Sequence, residues 1–173
     1  SRQARASSGK LTRPFAASPS VDTTPPLHPV ITRLLSMPPV QAMQLRLSGF
    51  DGEMLGLSAP LAPNVNDKGS AFGGSLASVM TLAAWALMSI RLEDAGHCAE
   101  VYVQDSSVRY LTPLYGDLHA IARLAEGQTW SEVLAAFAAR GKARALMEVE
   151  MHDAAGTPCC TLTGRFVALA PRR

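Results

Sequence analysis

The chain has few cysteines, little net charge and one long segment without charged residues, and each shortage narrows its possible functions. Its three cysteines, Cys98, Cys159 and Cys160, are an odd count, which argues against a disulfide framework and predicts a reducing, cytoplasmic compartment. A formal net charge of +2 over 173 residues gives no reason to expect nucleic acid or an anionic membrane as a partner. The four histidines are not spaced as metal ligands with those cysteines, so we expect no metal and no redox cofactor.

The uncharged segment covers residues 71–90, and it also lacks proline. Its apolar residues recur at helical spacing, which predicts a helix that is apolar nearly all round. They are Leu76, Val79, Met80, Leu82, Ala83, Ala86, Leu87 and Ile90. The length would also suit a transmembrane span. The Gly73-Gly74 pair, several hydroxyl residues and alternating segments on both sides favour a helix buried under a sheet, with no membrane span.

The first residues differ in composition from the rest. Residues 1–26 are rich in serine, alanine, proline and arginine and show no apolar periodicity, which predicts a disordered or extended tail. A transit peptide, a vector remnant and a plain leader share this composition. Residues 27–173 are predicted to form one domain, because a chain with 47% hydrophobic residues can bury a sizeable core.

Two elements precede the central helix. A short helix is predicted over residues 27–35, with Pro29 in its first turn and its apolar face on a sheet edge. Alternation that starts at Met43 predicts a strand, Asp51-Gly52 predicts a tight turn, and a second strand is expected to end at Ala59.

Strands and a short helix follow the central helix. A long strand is predicted over residues 99–111, with a bulge near residues 105–107 because the apolar positions change parity there. Thr129 and Glu132 have the spacing of a capping box, and Gly141 is placed to end the helix that they begin. Further strands are predicted over residues 117–125, 145–151 and 158–168.

This order of elements predicts an α+β fold, in which one antiparallel sheet curls around one helix. It resembles the hot-dog fold over roughly residues 27–170. The spacing of Asn66, Gly69, Phe72, Gly73 and Gly74 is similar to the Asn-x-x-Gly-x-x-His-Gly-Gly signature of hot-dog acyl-CoA thioesterases. The whole run 59–75 resembles more closely a bacterial thioesterase domain that is sometimes fused to a GNAT acetyltransferase domain.

The glycine pair suits thioester chemistry. Attack of water on a thioester carbonyl develops an oxyanion, and unpaired N–H groups at a helix N-terminus are aimed donors for it. Glycine at positions 73 and 74 removes side chains that would keep the carbonyl away. The alternative is that Gly73 and Gly74 only let a strand pass close to the helix.

The resemblance also implies how water is handled. In related enzymes a loop Asn or Gln and a helix carboxylate orient and deprotonate the attacking water. In this sequence the loop position matches Asn66, whereas the carboxylate position falls on Thr81. The signature histidine is replaced by Phe72. Since threonine is no general base near neutral pH, the nearby Asp67 becomes the candidate base, although an Asn-Asp pair before a helix also serves as a turn or N-cap.

Further side chains are expected around the substrate. The resemblance places Arg109 and Tyr110 beside the acyl-thioester channel, with Arg109 near a phosphate of coenzyme A. An ordinary surface arginine is the alternative. Glu100 would reach the site only across a dimer; otherwise it lies on a solvated strand face. The residues predicted to border substrate are Asn64, Phe72, Ser75, Arg109 and Tyr110.

The expected activity is hydrolysis of acyl-CoA or acyl-carrier-protein thioesters. The resemblance implies a site at the seam of a homodimer, or of a dimer of dimers. Two alternatives remain open. Dehydration or hydration of acyl thioesters ranks lower, because no histidine lies between Pro60 and Leu92. A binding module that holds an acyl thioester without hydrolysing it would fit the missing helix carboxylate.

Overall fold

The computed structural model describes residues 26–172. Residues 1–25 of the predicted tail lie outside the described residues. The helices are α1 Pro29–Ser36, α2 Pro38–Met43, α3 Gly73–Asp94 and α4 Trp130–Arg140. The strands are β1 Arg46–Phe50, β2 Met54–Ala59, β3 Glu100–Tyr110, β4 Leu118–Leu124, β5 Lys142–His152 and β6 Pro158–Leu169. A short 3-10 turn, Ala62–Asn64, follows β2.

The six strands form one antiparallel sheet in the order β1-β2-β4-β5-β6-β3. α3 lies across one face of this sheet and contacts the five strands β2 to β6. The predicted α+β architecture is therefore confirmed, and it is the hot-dog fold. β3 is an edge strand, since within residues 26–172 it pairs only with β6.

α3 forms the centre of the core. By length and composition it could span a membrane, but 67% of its most apolar window is buried inside the protein. Met80, Ala83 and Leu87 have no exposed surface. The sheet therefore covers the helix, as the sequence predicted.

The predicted change of parity in β3 is also confirmed. The pairing of β3 with β6 shifts between Val103 and Asp105. Val103 lies opposite the buried Phe166, and beyond the shift Val108 lies opposite the buried Leu162, so both valines face α3. Without the bulge, the second half of β3 would turn its apolar residues away from the core.

α4 begins and ends as its sequence predicts. The Thr129 side chain accepts a hydrogen bond from the N–H of Glu132, and the Glu132 carboxylate accepts one from the N–H of Thr129. Gly141 ends the helix in the left-handed conformation, with φ of 63°.

Two predictions about the N-terminal elements are wrong in detail. Met43 does not begin a strand but ends α2, because the two prolines at the start of that segment suit the first helical turn and Gln44 closes it at φ of 56°. The apolar face of α1 does not lie on a sheet edge. It packs against α2 and α3, and Arg33 on α1 forms an ion pair with Glu93 at the end of α3.

Truncation of a core residue of α3 tests this packing. Leu87→Ala removes a fully buried side chain and should lower the free energy of unfolding by about 2–5 kcal/mol. The control, Leu146→Ala, truncates a leucine that is 37% exposed and should cost less than about 1 kcal/mol. Urea unfolding of both variants measures the difference, and equal costs would contradict a core centred on α3.

Candidate active site

Asn66 shapes the loop that leads into α3. Its Oδ1 accepts hydrogen bonds from the backbone N–H of Lys68 at 2.8 Å and of Ser70 at 3.1 Å. Its Nδ2 donates to the Ser70 Oγ at 2.9 Å, and Gly69 completes the tight turn at φ of +80°. One side chain therefore fixes the loop conformation, and the sequence singled out this residue.

Asn64 attaches the same loop to the rest of the fold. It is 1% exposed, and its Nδ2 donates to the carbonyls of Met43 and Pro60 at 2.9 and 2.8 Å. The backbone carbonyl of Asn64 accepts a hydrogen bond from the N–H of Phe72 at 2.7 Å. Asn64, predicted to border substrate, thus fixes the chain segment just before α3.

The N-terminus of α3 is open. Within residues 26–172, no side chain caps this helix and its first turn contains no acidic residue. Leu76 donates its N–H to the Phe72 carbonyl, whereas the N–H groups of Gly73, Gly74 and Ser75 have no partner in the described part of the chain. Three amides therefore lack a partner at the positive end of the helix dipole, where negative charge is stabilised.

Two aromatic rings flank the glycine pair. The Tyr110 ring lies against Gly73, where an added Cβ would be 3.4 Å from its Cε1, and the Tyr110 hydroxyl donates to the Gly73 carbonyl at 3.1 Å. The Phe72 ring covers the position that a side chain on Gly74 would occupy, since an added Cβ would lie only 2.4 Å from its Cε1. The space created by Gly74 is therefore occupied by a ring, and Phe72 itself is 55% exposed.

A groove of about 380 Å³ lies between the Asn66 loop, the start of α3 and the end of β3, and we call it the N-terminal groove. Gly73 lines it, whereas Phe72, Gly74 and Ser75 do not. Its lining includes Asn66, Lys68, Ser70, Gly73, Leu76 and residues 110–114. The segment after β3 was missed as part of the site. It closes the groove because Ala71 donates its N–H to the Leu114 carbonyl at 2.7 Å, a long-range contact without a sequence signal.

Asp67 does not line this groove. Its side chain is 79% exposed and pairs with the adjacent Lys68 at 2.8 Å. Asn66 lines the groove, whereas the carboxylate of Asp67 contacts solvent. The predicted role of Asp67 as the base stays a prediction.

Thr81 lines a different cavity. It borders a mainly apolar depression of about 360 Å³ between α2 and α3, together with Val40, Met43, Ser78 and Leu82. Thr81 lies about two turns, or about 10 Å, along the helix from Gly74, and on the same helix face. One chain alone therefore does not bring Thr81 and Asn66 to a common carbonyl.

Arg109 and Tyr110 face opposite sides of the sheet. Tyr110 faces α3, whereas its neighbour Arg109 lies on the outer face, in register with Thr161 and Glu150. Arg109 is exposed and is separated from the N-terminal groove by the sheet, so its predicted phosphate contact stays a prediction. Ser75 is buried in the first turn of α3, 8% exposed.

Cys160 lies opposite Tyr110 in the sheet, and its side chain is buried. Burial raises the pKa of its thiol to about 11. At neutral pH the thiol is therefore protonated, so Cys160 is not an activated nucleophile. Within the described range there is also no group of three or more His, Cys, Asp or Glu side chains that could hold a metal ion.

Comparison with known proteins agrees with this geometry. The family model described as "Putative thioesterase (yiiD_Cterm)" matches residues 33–170. A Chlorobaculum tepidum protein of unknown function is 28% identical, with a TM-score of 0.74 over 79% of this chain and 88% of that chain. A Shewanella oneidensis structure, described as a putative thioesterase, is 27% identical, with a TM-score of 0.70 over 81% of this chain and 97% of its own.

A third structure extends the likeness in fold. The Pseudomonas aeruginosa protein, described as a probable thioesterase, is 24% identical, with a TM-score of 0.71 over 84% of this chain and 98% of that chain. The family match covers most of the domain, including the Asn66 loop, α3 and all six strands. The chain therefore belongs to this thioesterase family, on the hot-dog fold.

Proposed function

We propose that the protein hydrolyses acyl thioesters of coenzyme A or of an acyl-carrier protein at the N-terminal groove. The observation that carries this proposal is the open N-terminus of α3, where the amides of Gly73, Gly74 and Ser75 have no partner among the described residues. Such amides would stabilise the oxyanion that forms when water attacks the carbonyl. Oxyanion stabilisation is the largest single contribution to the rate enhancement of many acyl-transfer enzymes.

Asn66 would act as a hydrogen-bond donor. Both acceptor positions of its Oδ1 are used by the N–H groups of Lys68 and Ser70, and one hydrogen of its Nδ2 is used by Ser70 Oγ. An amide nitrogen carries two hydrogens, so one remains for the substrate carbonyl or for water. Asn66 therefore orients the reactants but accepts no proton from them.

Water activation would need a second copy of the chain. Among the side chains of residues 26–172 that line the N-terminal groove there is no carboxylate and no histidine. β3 has a free, 11-residue edge with the exposed apolar residues Tyr102, Val103 and Tyr110, and such an edge is a template for pairing. Antiparallel pairing of two copies along β3 would set the Tyr110 end of one copy beside the Glu100 end of the other.

This dimer also gives Thr81 a role. Gly74, Ser78 and Thr81 form a partly exposed stripe of small residues on α3, and small residues allow a second helix to approach closely. Thr81 would then orient water from across the seam. A cytoplasmic homodimer, or dimer of dimers, that needs no metal and no redox cofactor is part of this proposal.

The activity itself is tested with a panel of acyl-CoA and acyl-carrier-protein substrates, by the release of free thiol. Turnover supports hydrolysis. Tight binding without turnover would favour the binding module, and formation of an unsaturated or hydrated acyl thioester without free thiol would favour the dehydratase alternative.

Substitutions at two adjacent residues separate the role of Asn66 from that of Asp67. Asn66→Asp keeps the acceptor that fixes the loop but removes the N–H donor, so the rate should fall on the order of 10²-fold. Asp67→Asn removes an exposed carboxylate and should change the rate by less than about threefold, since this residue does not line the groove. Thr81→Val should cost more than Asp67→Asn.

Thiol release by the purified, folded variants measures all three effects. If Asp67→Asn lost activity while Asn66→Asp kept it, Asp67 would be the base and the water-positioning mechanism would be wrong. An acidic limb of the pH–rate profile that disappears in Asp67→Asn would point to the same conclusion.

A side chain on Gly74 should close the oxyanion site. Gly74→Val should cost on the order of 10²-fold in rate, because the new side chain stands beside the amide and displaces the Phe72 ring. Combination with Phe72→Ala removes the clash and should not restore the rate if the valine itself excludes the carbonyl. Gly49→Val is the matched control, since an added Cβ meets nothing within 4 Å there. Full activity of a folded Gly74→Val variant would exclude the oxyanion role.

A further inference from the structure

The Tyr110 hydroxyl connects the end of β3 to the first turn of α3. It donates a hydrogen bond to the Gly73 carbonyl at 3.1 Å, while the ring lies against Gly73. Tyr110 is 58% exposed, so burial of the ring contributes little to the core. The contact therefore calls for an explanation other than core packing.

The bonded carbonyl belongs to the same peptide group as the Gly74 amide. A trans peptide is planar, and its C=O and N–H point in opposite directions. A bond that fixes the Gly73 oxygen therefore also fixes the direction of the Gly74 N–H. This matters here because two successive glycines have the greatest backbone freedom, and no side chain caps the helix within residues 26–172.

We infer that Tyr110 is a positioning residue, whose hydroxyl holds the Gly73–Gly74 peptide so that the Gly74 N–H is aimed at the oxyanion. This inference rests on the proposed thioesterase activity. Tyr110 then stabilises the transition state and does not contribute to substrate affinity. Preorganised donors accelerate a reaction because they need no reorientation as charge develops.

The test is Tyr110→Phe, which keeps the ring against Gly73 and removes only the hydroxyl. kcat for the best acyl-CoA substrate should fall about five- to tenfold, the loss expected for one neutral hydrogen bond. KM should stay within about twofold, because an interaction made only in the transition state leaves ground-state binding unchanged. The shape of the pH–rate profile should also stay unchanged, since the hydroxyl moves no proton.

Tyr115→Phe is the matched control. Tyr115 is 67% exposed and does not line the N-terminal groove. Loss of its hydroxyl should leave kcat and KM at the wild-type values. A selective fall of kcat in Tyr110→Phe supports the inference.

The other outcomes overturn it in distinguishable ways. If wild-type protein releases no thiol from any substrate, the proposed function fails and the inference fails with it. If wild-type protein is active and Tyr110→Phe behaves like Tyr115→Phe, only the positioning role is wrong. A raised KM with unchanged kcat would make Tyr110 a substrate-binding residue, and a lost limb of the pH profile would make it a proton donor or acceptor.

Discussion

Burial of the uncharged helix α3 is the constraint on which the rest of the structure depends. The helix carries no charged residue between positions 71 and 90, so its side chains must leave water almost all round. The strands β2 to β6 provide that cover. They also hold the helix so that its N-terminus opens between the Asn66 loop and the end of β3, and the site is a consequence of how the core is built.

The helices α3 and α4 begin in contrasting ways. α4 carries a complete capping box of Thr129 and Glu132, whereas α3 begins with Phe72 at the cap position, followed by Gly73 and Gly74. A missing cap costs about 1 kcal/mol of helix stability. Under the proposed mechanism, the uncapped first amides of α3 would be the donors for the anionic transition state.

Features set by local patterns could be predicted from the sequence, among them α3, the bulge in β3 and the cap at Thr129. Features set by long-range contacts could not. The bond from the Ala71 N–H to the Leu114 carbonyl, which closes the groove, is one of them. The exposure of Asp67 and the helix α2 are local features, but the residue pattern did not reveal them. The opposite faces of Arg109 and Tyr110 follow from strand alternation, once the partner strand is known. The contributions that the proposal assigns to a second copy of the chain would leave no local signal.

A structure with a non-hydrolysable acyl-CoA analogue tests the central claim most directly. We expect the oxygen that replaces the thioester carbonyl to lie in the N-terminal groove, within hydrogen-bond distance of the Gly74 N–H and close to the Asn66 Nδ2. The acyl chain and the pantetheine arm should run along the seam between two copies paired through β3. Another depression, of about 420 Å³, lies between α4 and β5 and is lined by Thr129, Val133 and Lys142 among others. An analogue that binds there, with the first turn of α3 empty, would contradict the account.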